Sequence, residues 1–309
     1  VATTPAKTSA KKLPAQQADA PAKKTAAAQT ATGTTRNTRA VKKALVVPEI
    51  RTEIMDVTPA QAEEWLKGNV SNRRLSDRTV ALYARDMKAG RWLMNGEALQ
   101  IAVDGTLLNG QHRLWAIIRS GLTIKMLVIF NLPVSARATM DAGKKRTHVD
   151  NLALDGESNT KALAAIARRV ALWERGDRNF KDIVSFGEVR EMLAEHPEMR
   201  RSAEIGERVH RAFKPLSVSV LGTSHYLLHQ VSPEDTPWFF GAIEKGAKLD
   251  EGNPVLTLRE RIRNDRDNGI KVNDVRAIGY VVRAWNAHRE GRTLQRMQHA
   301  IGEPIPEIL

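Results

Sequence analysis

The stretch Leu107-Leu108-Asn109-Gly110-Gln111-His112-Arg113-Leu114 decides the reading of the fold. Two apolar residues end a strand, Asn109-Gly110 makes a small turn, and a helix begins at once. Leu114, Ile117 and Ile118 give that helix a buried side, and Gly121 stops it after Ser120. At a strand-to-helix junction the first amides of the helix have no partner within it and favour an anion. Gly110 lets main chain approach a phosphate closely. Arg113 suits bidentate contact with phosphate oxygens, and His112 suits phosphate binding or proton transfer. A plainer reading has Gln111, His112 and Arg113 merely capping and decorating the helix. The strand, glycine and helix-start context favours the anion site.

Outward from this turn the pattern stays mixed. Leu45 to Val57 reads as an edge strand interrupted by Pro48. Thr58-Pro59 opens a helix running to about Lys67, and Ser76-Asp77 opens a second, with Val80, Tyr83, Ala84 and Met87 on one face. Ala98–Val103 and Thr106–Leu108 form a hairpin across Asp104-Gly105, a type I′ signal. Ile124–Phe130 is a further strand, whose Met126–Phe130 is the longest apolar stretch. Trp65, Trp92 and Trp115 are assigned to the core. From Thr160 onward the periodicity is helical: 161–175, a second helix opened by the capping box of Ser185 and Glu188, then 198–212, 218–230, 234–247, 254–265 and 273–289. Asp150–Asn159 reads as the inter-domain linker, with 156–159 its loop-like part. The fold class is therefore α+β, a mixed domain over 44–150 followed by an all-α domain over 160–309.

Composition bounds the function. The 309 residues carry a net charge of +13 and no cysteine, which excludes disulfides, thiolate metal sites and a cysteine nucleophile. Residues 1–43 hold nine Lys and Arg against Asp19 alone, a net +8, with almost no large apolar residues. Such a segment cannot offset the entropy of ordering and is expected to be a disordered basic tail. It can neutralise phosphates without reading sequence, or serve only as a solubilising spacer. Low aromatic content, 5%, gives no aromatic-rich surface for stacking bases. No run of about 18 apolar residues occurs, so no membrane partner is expected.

The run Gly105–Ile117, GTLLNGQHRLWAI, resembles the signature of the ParB/sulfiredoxin-like superfamily, over about residues 45–150. More narrowly, Gly90-Arg91-Trp92, Asn95-Gly96-Glu97, Asn109–Leu114 and Asp141–Arg146 are similar to ParB-domain proteins of actinobacteria and their phages. The resemblance implies a nucleotide-binding domain in a cytoplasmic, DNA-associated protein, encoded by a bacterium or a phage. It implies that Asn109, Gly110, Gln111, His112 and Arg113 contact a nucleoside triphosphate, with Lys144, Lys145 and Arg146 neutralising phosphates. It also implies that Asp141 holds Mg²⁺, and His112 and Asp141 are the catalytic candidates for an NTP hydrolase or nuclease. Gln111 stands where sulfiredoxin has its cysteine, so sulfinic acid reduction is excluded. Asp141–Arg146 reads equally as a solvated loop.

Weaker candidates are Glu97 near the hairpin and Arg73, Arg74 and Arg78 near the second helix. The helical half carries many arginines, among them Arg168, Arg169, Arg259, Arg261, Arg263 and Arg289. It reads as a bundle that packs on the first domain or pairs two copies of the chain. Ser185–His196 with Pro197–Arg211 is an alternative helix-turn-helix. His225 and His229 share a helix face, but no third metal ligand accompanies them. Three functions follow: a DNA-associated nucleotide-binding protein, a nuclease or nucleotide-dependent DNA-modification enzyme, and a scaffold without ligand.

Overall fold

The computed structural model describes residues 49–309 except 71, 141–145 and 301. The tail 1–43 and the segment Leu45–Pro48 thus lie outside the described residues. Strand β1 (Arg51–Val57) leads into helix α1 (Pro59–Leu66). Thr58 caps that helix, accepting from the Gln61 N–H at 3.2 Å, and Pro59 takes its first position. Helix α2 (Asp77–Lys88) is capped by Ser76 and buries Val80, Ala84 and Met87. Strands β2 (Leu99–Ala102) and β3 (Leu107–Asn109), helix α3 (Gln111–Ser120) and strand β4 (Ile124–Leu132) follow.

The four strands form one sheet in the order β1-β4-β2-β3. β1 pairs with β4 antiparallel, with Ile54 opposite Leu127, and so lies at an edge. β4 and β2 are parallel, which requires a crossover, and α3 lies within it. Leu99, Ile101, Leu107, Met126 and Val128 point to the face covered by helices and pack with Ala84, Met87, Leu114 and Ile117.

The hairpin differs from the sequence expectation. Only Gly105, at φ +83°, has positive φ, and Asp104 does not, so the turn is not type I′. The Ala102 carbonyl accepts from Gly105 N–H at 3.0 Å, and Ala102 N–H donates to Thr106 O at 2.8 Å. A three-residue loop with the left-handed glycine last replaces the two-residue turn.

Half of the expected linker is also helix. Thr147 and Asp150 form a capping box that starts α4 (His148–Leu154), and Leu152 is buried in the helical core. Helices α5 (Thr160–Glu174), α6 (Phe186–Glu195), α7 (Met199–Ala212), α8 (Val218–Val231), α9 (Thr236–Lys245), α10 (Pro254–Asp267) and α11 (Asp274–Arg289) complete the chain. Every residue from Val220 to Leu228 is buried, which makes α8 the central helix. It approaches α7 closely because Gly206 has no side chain: a Cβ there would stand 2.7 Å from Val218 O. Two hydrophobic cores result, one against the sheet and one among the helices, within a single unit over 47–309.

Candidate nucleic-acid interface

The turn that opened the sequence reading lies between two loops and holds both. Gly110 begins α3 at φ +113°, and a Cβ there would fall 2.4 Å from Leu99 Cδ2. The positive φ, together with the close Leu99 side chain, therefore already favours glycine at this position. Gln111 accepts from Asn69 Nδ2 at 3.2 Å and donates through Nε2 to the Arg73 carbonyl at 2.7 Å. His112 Nε2 accepts from the Ser76 N–H at 3.0 Å, so the ring is neutral at that nitrogen with its proton on Nδ1. Asn72 Nδ2 reaches the Leu107 carbonyl at 2.7 Å. These bonds fasten Asn69, Asn72, Arg73 and Ser76 around the turn and the amino end of α3.

Arg113 is buried, 8% exposed. It donates to the Glu97 carbonyl, to the Ala98 carbonyl at 2.9 Å and to Asn109 Oδ1 at 3.4 Å. The side chain thus clamps the approach to β2, as charge-assisted bonds to main-chain oxygens do. Asn109 is brought to it by the same turn. Glu97 contributes its carbonyl, while its own N–H is capped by Asn95 Oδ1 at 3.1 Å.

What this arrangement presents to solvent is basic. Arg73, Arg74 and Arg78 are all exposed, and among the described residues none of them forms an ion pair. The nearby acid, Asp77, is already engaged by Arg119 at 2.8 Å. Trp115, expected in the core, is 40% exposed. His112, Trp115 and Arg119 share one face of α3 by their spacing. The first and last are tied to Ser76 and Asp77, which places this face of α3 toward the start of α2. Its position was legible in part: it falls outside the stripe of Leu114, Ile117 and Ile118. Leu75, Leu93 and Met94 add exposed apolar surface on the two loops.

Asp141, Lys144 and Lys145, the expected Mg²⁺ ligand and two of the expected phosphate-neutralising cations, lie outside the described residues. Arg146 is exposed, just before α4. Among the described residues no group of three His or acidic side chains could hold a metal. His225 and His229 stack at 5.3 Å and bond to Ser202 and Thr236. Burial, helped by the neighbouring His229, pushes His225 down to about 3. The helical arginines are mostly structural: Arg168 bonds the Phe180 and Asp182 carbonyls, Arg169 binds Asp274, Arg261 binds Asp265 and Arg289 binds Asp235. Of the helix-turn-helix alternative, α7 packs its small-residue face on α8, and its outward Arg201 and Arg208 pair with Glu204 and Glu244. No described helix is long and apolar enough to cross a membrane. Comparison with protein-family models, with curated proteins and with solved structures finds no match to this chain.

Proposed function

We propose that this chain is a DNA-associated protein that holds the phosphate backbone with Arg73, Arg74 and Arg78 at the amino end of α3. The observation that carries the reading is that three exposed arginines lie within six residues of chain and pair with no acid among the described residues: Arg73 and Arg74 on the loop that Gln111 and His112 fasten, and Arg78 in the first turn of α2. Surface cations are ordinarily interspersed with acids; three left over on one edge create a local positive potential that attracts a polyanion. Trp115, 40% exposed, adds a flat apolar face on α3. Binding of labelled duplex DNA, followed by fluorescence anisotropy over a salt series, tests this. Replacing the three arginines with glutamine should flatten the log–log salt dependence by about one for each phosphate no longer neutralised. An unchanged affinity and slope would reject the assignment.

A nucleoside triphosphate with Mg²⁺ at the same turn is the second reading. In its favour, α3 starts on Gly110 without a side-chain cap among the described residues. The buried Arg113 directs donors to main-chain oxygens, so phosphates at this edge would meet Arg73 and Arg74 instead. Titration with ATP, CTP and GTP, with and without Mg²⁺, while following phosphate release, separates plain DNA binding from a nucleotide-dependent activity.

A further inference from the structure

A second concentration of positive charge lies in the helical half, around Phe213. Arg259 is 5% exposed, its guanidinium 4.4 Å from the Phe213 ring centroid and packed against Gly246, where a Cβ would meet it at 2.4 Å. It donates to the Ile243 carbonyl. Arg263, one turn further along α10, lies over the same ring at 5.5 Å. Two guanidinium groups thus share one aromatic ring, and among the described residues neither has a carboxylate partner. Burial first, and the charge of Arg263 second, lower the affinity of Arg259 for its proton.

The surroundings deepen the imbalance. Lys214 follows Phe213, and Lys245 and Lys248 flank Gly246; all three are exposed and none forms a described ion pair. Glu244 is taken by Arg208 at 3.2 Å, and Asp265 by Arg261 at 3.0 Å. Glu260 and Asp267 on α10 are exposed and neither pairs with Arg263; Asp250 and Glu251, after Lys248, are exposed and form no described ion pair. Like charges crowded on a partly desolvated site repel, and a bound anion removes that cost.

We infer that Lys214, Lys245, Lys248, Arg259 and Arg263 form a second phosphate-binding surface that engages the backbone of a nucleic acid. Cations on three separate elements match a repeating charge better than a single small anion, which two of them would satisfy. The ligand class rests on the DNA reading above, whereas the residues stand on their own charge and packing.

The test uses the full chain with Lys214, Lys245, Lys248 and Arg263 replaced by glutamine, and in parallel the Arg73/Arg74/Arg78 triple. Arg259 is left intact because it is buried. The expected result is an affinity for duplex DNA lower by about tenfold, with a salt slope shallower by about one for each phosphate left without its cation. The single Arg263→Gln variant should melt no lower than the parent, since it removes a repulsion. A lower Tm with unchanged DNA affinity would assign Arg263 to packing alone and overturn the inference. Stabilisation of the parent by inorganic phosphate, with DNA binding untouched in the quadruple variant, would also overturn it in favour of a small-anion site. Loss confined to the quadruple variant would support this surface and reject the one on α3; loss confined to the triple would do the reverse.

Discussion

Arg113 illustrates how one residue can carry two opposite expectations. A cation in the first turn of a helix is disfavoured by the positive end of the helix dipole unless something compensates. A bound phosphate is one compensator. In the structure the Glu97 and Ala98 carbonyls and the Asn109 amide oxygen serve instead. Replacing Arg113 with alanine would leave two main-chain carbonyls without their donor in a nearly dry site. The expected cost is about 2–4 kcal/mol, because bonds to charged groups contribute about 1.5–3 kcal/mol each and do not add fully. Urea denaturation should show this as a lower midpoint. A variant as stable as the parent would mean that these carbonyls find other donors or water.

At the scale of elements, a network of charges links the sheet region to the helical region. Glu188 in the first turn of α6 accepts from Ser185 N–H at 2.7 Å and from Arg85 Nε at 3.3 Å. Arg175 and Arg91 stand 3.3 and 3.6 Å from it. Asp86 on α2 accepts from the Ser185 hydroxyl at 2.9 Å. Glu188 therefore closes a capping box and anchors three arginines, two of them from the sheet region. Glu188→Ala is expected to cost about 2–4 kcal/mol. That lies below a fully buried pair because Arg85 and Arg175 keep 32% and 31% of their side chains in water. The variant should also become more sensitive to limited proteolysis in the loop 155–159, which the Glu157–Arg200 pair otherwise pins. Unchanged stability and unchanged cleavage would show that the apolar packing alone holds the two regions together.

For the whole molecule the decisive quantity is the distribution of charge. A net +8 of the chain's +13 belongs to residues 1–43, and the remainder of the chain is only +5. On the DNA reading, these residues and the two basic surfaces neutralise phosphates on one ligand. Removing 1–43 should leave the thermal unfolding of the rest unchanged while lowering DNA affinity and flattening its salt dependence. Anisotropy over a salt series on the truncated and full chains measures both. Identical curves would assign the segment to solubility or spacing.

Local signals settled much of the architecture in advance. Thr58-Pro59, Ser76, Ser185 with Glu188, and Gly121 act within a few residues of themselves, so their caps and stops could be read from the chain. The seven long helices from α5 to α11 followed from apolar periodicity, for the same reason. Three features needed the tertiary structure. Asp104-Gly105 chose a three-residue loop because the turn must also satisfy the pairing of Ala102 with Thr106. Asp150–Leu154 became helix because Leu152 finds a core to enter. The roles of Gly110, Arg113 and Trp115 depended on what stands opposite them. Leu99 explains the glycine, the Glu97 and Ala98 carbonyls occupy the arginine, and the tryptophan stays 40% exposed on α3. Sequence spacing specifies which face of an element a side chain leaves from; only packing specifies what that face meets.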